Sequence, residues 1–323
     1  MTERLRILVT GTGGAGAFDL ARFVQRLGHE VIAADSNPYA PGLRLPEVTA
    51  LHMPPAGHPH WADNLLTACR TLRPDALWSA VEAEFAGLAR LREPLADLGV
   101  RSQVADPALV QACVDKHAFH RVLTAAGIAT PRLWEPHQDL DIPAGTPLVV
   151  KPARGQGARQ VTFCHTGAQA HMLRDLMPDA VVQERLRGTE FTADAVVDAA
   201  GRASVVLRRR LLVKGGLAVV AETFHDPEVA ARVTRTLAAV GARGLCCAQG
   251  FITTGPEPVV MTEVNARVGG GFPLAEHAGA DLVAQGLNAL LGRPVDHSRL
   301  AYEPGLRLTK YTETLTVETV PCS

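Results

Sequence analysis

The stretch VVMTEVNARVGGGFP, Val259 to Pro273, decides how this chain of 323 residues is read. Its first half is apolar and β-branched, as a strand inside a sheet is, and its second half is a glycine turn. Glu263 and Asn265 lie two residues apart on the strand, so both point to the same face. The preceding strand, GLCCAQGFIT from Gly244, carries Gln249 fourteen residues before Glu263, at the matching position of a hairpin with the turn TTGPE. Three hard oxygen donors facing one way, with Arg267 just beyond, suit Mg²⁺ held against phosphate oxygens. The same periodicity also describes a polar solvent-facing strip on an edge strand, and spacing alone does not choose between the two.

Upstream segments add groups of the same kind. In LVVKPARGQGARQV, Lys151 ends an apolar strand ahead of Pro152 and a loop with glycine hinges at Gly155 and Gly157. That arrangement suits a phosphate clamp, with a fixed ammonium and backbone N–H groups that close over the phosphates; a strand-end lysine beside a plain surface loop looks the same. No G-x-x-x-x-G-K-[ST] loop occurs. In VVQERLRGTEF, a strand ends in Gln183 and Glu184 and leads through Leu186 to Glu190. This pattern fits an adenine hinge with a ribose acceptor, and equally an ordinary connection between domains. Lys116 in VDKHAFHRVL is, by itself, a charge on a helix face. In LRRRLLVKGG, alternation puts Arg208 and Arg210 on one face and Arg209 on the other, with a tip at Lys214-Gly215-Gly216.

The N-terminal third follows a different pattern. RILVTG is a continuous apolar run, as in a buried parallel strand, and GTGGAG (Gly11–Gly16) fits the G-x-G-x-x-G turn. A helical stripe follows at Phe18, Ala21, Phe23, Val24 and Leu27, then Gly28 and the strand EVIAADS with Asp35 near its end. The helix WADNLLTACRTL, the strand DALWSAV, the helix EFAGLARLREPLADLG and the short strand RSQVA complete a β-α-β-α-β-α-β unit of Rossmann type. Asp106-Pro107 then caps a helical stretch to Gly127, read as one long helix or two short ones. The strands PLVVKP, VTFC and AVVQERL with the helix AQAHMLRDL form an α+β lobe. The strands EFTADAVVD, ASVVLRRRLLV and LAVVAETF and the helix DPEVAARVTRTLAAVG precede the closing hairpin.

Composition excludes several function classes. A formal net charge of -1 lacks the basic excess that a nucleic-acid or membrane-surface partner requires. No apolar run reaches the roughly 18 residues of a membrane span, and the N-terminus leads straight into a strand, so a cytoplasmic protein is expected. Cys69, Cys113, Cys164, Cys246, Cys247 and Cys322 form no C-x-x-C and read as reduced structural thiols; no zinc-ligand spacing occurs.

Taken in order, Lys116 in VDKHAFHRVLTAAGIATPRL, Lys151 in VVKPARGQGARQV, VVQERLRGTEFTADAVV, and Gln249 with EVNARVGGGFPLA resemble the ATP-grasp superfamily, most of all the branch typified by a synthetase half of the carbamoyl-phosphate synthase large subunit. The resemblance covers nearly the whole chain. It implies an α/β protein in which two α+β lobes clamp ATP, behind a Rossmann-like pre-ATP-grasp domain: residues 1–110 that domain, 111–189 the small lobe with the glycine-rich lid, 190–323 the large lobe with the metal site. By this resemblance Lys116 and Lys151 contact phosphates, Gln183, Glu184 and Leu186 line the adenine site, and Glu190 binds ribose. Gln249, Glu263 and Asn265 hold Mg²⁺, or Mn²⁺ in its place, and Arg267 stabilises the transferring phosphoryl group beside Lys151 and Arg210. The implied activity is an ADP-forming carbon–nitrogen ligase that activates a small carboxylate or amino acid as an acyl phosphate for attack by an amine, in a protein compatible with a homodimer. Substrate contacts are expected among Arg208, Arg210, Lys214, Glu82 and His277. The chain departs from the pattern in having Gln249 where many relatives carry Asp or Glu, and in a lid sequence with fewer small residues. It has one synthetase-sized unit and no glutaminase, which argues against carbamoyl phosphate synthesis. Two alternatives stand beside this reading: an NAD(P)- or flavin-dependent oxidoreductase resting on GTGGAG and Asp35, which explains only the first third, and a nucleotide-binding protein without catalysis.

Overall fold

In a computed structural model, residues 3–103, 106–134, 142, 145–155, 160–177, 179–315 and 317 are described. The chain divides into two units, Met1–Val104 with Leu308–Ser323, and Ala105–Arg307.

In the first unit, β1 (Arg6–Thr10), α1 (Ala15–Arg26), β2 (Glu30–Asp35), β3 (Val48–His52), α2 (Trp61–Leu72), β4 (Ala76–Ser79), α3 (Glu82–Arg90), α4 (Arg92–Asp97) and β5 (Arg101–Ser102) follow in order. The strands form one sheet in the order β3-β2-β1-β4-β5, with every pairing parallel. Continuous apolar runs in β1, β2 and β4 explain the centre: Ile7, Val9, Ala33, Leu77 and Trp78 have no exposed surface. Strand β3 was not expected from sequence, because VTALH lacks the apolar run of its neighbours; it is an edge strand, half-buried at best. The stretch EFAGLARLREPLADLG, read as one helix, is two, broken at Leu91. Lys310 donates to Asp19 Oδ2 at 2.6 Å, fastening the C-terminal segment to α1.

The second unit opens with α5 (Pro107–Val114) and α6 (Lys116–Ala125). Two helices form because Asp115 between them is extended and caps α6, accepting from His117 N at 2.9 Å, as Asp106 caps α5 through Ala108 N at 2.7 Å. Next come β6 (Leu133–Trp134), β7 (Leu148–Pro152), β8 (Thr162–Cys164), α7 (Gly167–Leu176) and β9 (Ala180–Glu184), an antiparallel sheet in the order β6-β9-β7-β8. The expected helix and three longer strands of this lobe are present, with β6 in addition.

Then follow β10 (Thr189–Val197), β11 (Ala203–Lys214), β12 (Leu217–Thr223), α8 (Pro227–Ala239), β13 (Gly244–Ile252), β14 (Val259–Asn265), α9 (Pro273–His277), α10 (Leu282–Leu290) and β15 (Arg307–Thr309). Their sheet has the order β14-β13-β10-β11-β12-β15. Helix α8 packs on β11 and β14, and α10 on β10 and β13. Between β9 and β10 the chain passes Gly188 at φ 150°, where a Cβ would lie 2.1 Å from the Ile252 carbonyl oxygen; only glycine fits that crossing.

Candidate functional site

The hairpin of β13 and β14 pairs Gln249 directly with Glu263 and Cys247 with Asn265, the register that the sequence spacing required. A bulge between Gln249 and Gly250 gives β14 one extra residue, Thr262, at the point where Glu263 faces Gln249. Gly250 makes the step possible, since a Cβ there would meet the Val260 carbonyl oxygen at 2.6 Å and the buried Phe191 ring at 2.8 Å. Asn265 Nδ2 donates to Glu263 Oε1 at 2.7 Å and lies 3.7 Å from Cys247 Sγ. Burial pushes the Cys247 thiol up to about 12, so the group beneath Asn265 is a neutral thiol at physiological pH. Arg267 Nη2 donates to Asn265 Oδ1 at 3.3 Å, and Nη1 to the Val268 carbonyl at 3.2 Å. The oxygens of Glu263, Asn265 and Gln249 are hard donors of the kind Mg²⁺ takes, so the residues present fit that ion. Among the described residues, no three His, Cys, Asp or Glu side chains converge on a common metal position.

The row continues across the sheet. Glu190 on β10 and Arg210 on β11 form an ion pair, and Arg210 Nη1 also donates to Gln249 Oε1 at 3.2 Å. Arg210 Nη2 donates to the Gly216 carbonyl at 2.6 Å, in the turn between β11 and β12. Burial raises the Glu190 pKa, against the pull of Arg210.

Lys151 comes from β7 of the smaller sheet. Its ammonium is pushed down to about 8, first by burial and then by Lys116, while Glu263 and Glu190 act in the opposite direction. Lys116 Nζ lies 3.4 Å from the carbonyls of Ala153 and Gly155 at the start of the glycine loop. Gly155 has φ 146°, a conformation that favours glycine; Gly157 lies outside the described residues. The two lysines and two carboxylates are therefore electrostatic neighbours, although Lys116 precedes Glu263 by 147 positions. Gln183 is buried on β9 opposite Val149, Glu184 is exposed at the strand end, and Leu186 is half-buried beyond it.

Arg208 was expected to meet a substrate carboxylate. It is 2% exposed and donates through Nε (2.6 Å) and Nη2 (3.1 Å) to Asp194, which is 1% exposed. Sequence reasoning did not single out Asp194; a lone aspartate at an inward position of the apolar strand EFTADAVVD was the signal, because a buried carboxylate requires a partner. Gly269 and Gly271 press their backbone onto this pair, and a Cβ on Gly271 would lie 2.3 Å from Arg208 Nη1. Lys214 is exposed at the end of β11, and His277 is exposed in the last turn of α9.

Glu82 belongs to the first unit, at the start of α3. There the more enclosed carboxylate is Glu84, 8% exposed, which accepts from Thr10 Oγ1 at 2.5 Å and Ser79 Oγ at 2.7 Å. Burial, chiefly, raises its pKa. It lines a cleft of about 200 Å³ with Gly11, Asp35, Ser36, Pro54 and Val81. Asp35, the acidic residue of the dinucleotide fingerprint, accepts from Gly13 N at 2.6 Å and from Asn37 N at 2.8 Å. The carboxylate that would hold a dinucleotide ribose is engaged in fixing the glycine turn itself.

Comparisons with known proteins agree with this architecture. Residues 176–314 match a family model described as ATP-grasp in the biosynthetic pathway with Ter operon, and residues 7–103 match one described as PylC-like, N-terminal domain. A comparison with curated protein sequences found no match. Among solved structures, a biotin carboxylase from Campylobacter jejuni in complex with β-γ-ATP is similar with a TM-score of 0.73 at 15% identity, over 94% of this chain and 74% of that one. An L-amino acid ligase from Bacillus licheniformis has a TM-score of 0.72 at 18% identity, over 94% and 78%. An N5-carboxyaminoimidazole synthetase from Staphylococcus aureus complexed with ADP has 0.73 at 14%, over 90% and 78%. At these identities the likeness to the solved structures is one of fold. The chain thus carries an ATP-grasp domain behind a PylC-like N-terminal domain, and members of the ATP-grasp family are ATP- and Mg²⁺-dependent ligases.

Proposed function

We propose that this enzyme joins a small carboxylic acid or amino acid to an amine through an acyl phosphate, releasing ADP and phosphate. The observation that carries the reading is the single row of Glu263, Asn265 and Gln249 on one face of the hairpin, with the Lys151 ammonium as their electrostatic neighbour. Phosphoryl transfer depends on positioning and charge neutralisation more than on a nucleophilic side chain, and this row supplies both. In this reading Glu263 and Asn265 hold the metal, which when bound neutralises phosphate charge. Lys116 and Lys151 hold phosphates, and the stretch Gln183, Glu184 and Leu186 lines the adenine, with Glu190 at the ribose. Arg267, fixed on Asn265 and the Val268 carbonyl, meets the charge that develops on the transferred group. Segments 111–189 and 190–323 are then the two lobes that enclose the nucleotide, and segment 1–110 the domain that precedes them.

An acyl phosphate is destroyed by water, so the glycine loop after Lys151 has a role in closing the site. The amine then attacks the acyl carbon, phosphate leaves, and one proton is released from the nitrogen. The likeness to an L-amino acid ligase supports an amino acid as one partner, at the level of fold.

The test is an ADP-release screen over amino acids and small acids, singly and in pairs, alongside thermal shift with nucleotides. Stabilisation by ADP with Mg²⁺, and ADP release that requires both an acid and an amine, is the expected outcome. Stabilisation by NAD(P) without an effect of ADP would overturn the reading, and a fully active Glu263→Ala variant would remove the proposed metal site.

A further inference from the structure

We infer that Arg210 stands where a second divalent cation would sit, so that this nucleotide site takes a single Mg²⁺, through Glu263 and Asn265. The inference rests on the nucleotide reading above and adds the stoichiometry of its metal. The Arg210 side chain is 7% exposed and is fixed at three points on three elements: Glu190 on β10, Gln249 on β13 and the Gly216 carbonyl. To reach Gln249 from β11 the guanidinium must cross β10, the strand between them in the sheet. It therefore lies along the row of donors and not beside it.

Charge decides what the row can hold. The amides add no charge to the row, Gln249 Oε1 accepting from Arg210 at 3.2 Å and Asn265 Oδ1 from Arg267 at 3.3 Å, so the carboxylates decide. Of the two carboxylates, Glu190 is paired with the same guanidinium, whereas Glu263 is met by the neutral amide of Asn265. A pair of divalent ions between nucleotide and protein requires several carboxylate oxygens, and this row offers one carboxylate that no guanidinium has neutralised. Glutamine at position 249 is consistent with this placement: it accepts from the guanidinium without adding a charge that the metal would need. A fixed monovalent cation thus takes over the neutralisation that a second metal supplies, and it does so without a dissociable ion.

The experiment counts metal directly. Equilibrium dialysis of the full chain with Mn²⁺ and saturating ADP, with free Mn²⁺ read by electron paramagnetic resonance and bound ADP measured in the same cells, is expected to give one Mn²⁺ per bound ADP. The double variant Arg210→Met, Gln249→Glu, which removes the guanidinium and restores a carboxylate, is expected to give two. Two Mn²⁺ per ADP in the unaltered protein would overturn the inference while leaving the nucleotide reading intact. Absence of bound ADP would overturn both. One Mn²⁺ per ADP in the folded double variant, checked by its circular dichroism spectrum, would show that Arg210 does not exclude the second ion and so also overturn the inference.

Discussion

Gly271→Ala is the most informative single substitution, because its cost falls on one buried interaction. The added Cβ would lie 2.3 Å from Nη1 and 2.8 Å from Cζ of Arg208. An ordinary contact needs roughly 3.5 Å, so the guanidinium or the turn must move by about 1 Å. A guanidinium at the end of a flexible side chain usually gives way cheaply. Arg208 does not have that freedom, since Nε and Nη2 are held on Asp194 at 2.6 and 3.1 Å and both residues are at most 2% exposed. Displacing it by that distance takes the contacts beyond hydrogen-bond range and leaves two buried charges imperfectly paired. Breaking a buried pair costs about 3–5 kcal/mol. For a unit of this size, about 2–4 °C of melting temperature is lost per kcal/mol, which gives a drop of roughly 6–20 °C. The control is Gly255→Ala, where the nearest atom would be Thr253 Oγ1 at 3.6 Å, with an expected change within about 0.5 kcal/mol. Urea unfolding of both variants measures the difference. Repeating Gly271→Ala in an Asp194→Leu, Arg208→Met background, which has no ion pair to break, should cost much less. Equal costs in the two backgrounds would refute the argument that the pair is what the glycine protects.

Three further outcomes follow from the same geometry. Lys151 titrates near 8 in the folded chain against 10.5 when unfolded, so between those values the unfolded chain binds the extra proton and stability rises with pH; Lys151→Met should abolish that rise in urea midpoints, and an unchanged slope would contradict the burial of the ammonium. Phosphate favours the charged ammonium, so ADP affinity measured calorimetrically should be highest below about pH 8 and fall above it; a flat profile would remove Lys151 from the phosphates. Glu84 has a raised pKa, so the stability it contributes is present below the ordinary carboxylate pKa and is lost as pH rises through its folded value. Glu84→Gln should therefore gain on the unaltered protein as pH rises, and a loss that grows with pH would sink this reading.

Much of the architecture could be read because local patterns carried it. The two-residue spacing of Glu263 and Asn265 and the fourteen-residue step from Gln249 determine a hairpin register, and the register is a backbone property that the structure reproduces pair by pair. The cap at Asp106 was legible for the same reason, since a cap depends on its own next three residues. Long-range pairing was not legible. Arg208 and Asp194 are fourteen residues apart on adjacent strands, and only the inward alternation of both shows that they neutralise each other. Arg208 and Arg210, equivalent by alternation, therefore differ in what they hold: one a buried carboxylate under a glycine turn, the other the donor row itself. Edge strand β3 escaped detection because it buries little, and β6 because two residues are too short a run to show a pattern.

The glycine fingerprint shows why a motif can specify a fold without specifying a ligand. The turn at Gly11–Gly16 needs glycine for steric reasons internal to the protein: a Cβ on Gly11 would lie 2.4 Å from Val81, and one on Gly13 would lie 3.0 Å from the Asp35 carboxylate. Asp35 satisfies the Gly13 and Asn37 N–H groups, so fingerprint glycine and fingerprint acid are partners of each other. Each feature that the dinucleotide reading assigns to a cofactor is thus already required to build the strand–turn–helix. The segment Val259–Pro273 behaves differently. Glu263 lies on the half-buried face of β14, where the buried Asn265 amide donates to it at 2.7 Å. Its partners are one neutral amide and the neighbouring Lys151 ammonium, an arrangement that suits a cationic ligand bridging to phosphate, and the proposed chemistry therefore rests on the second unit.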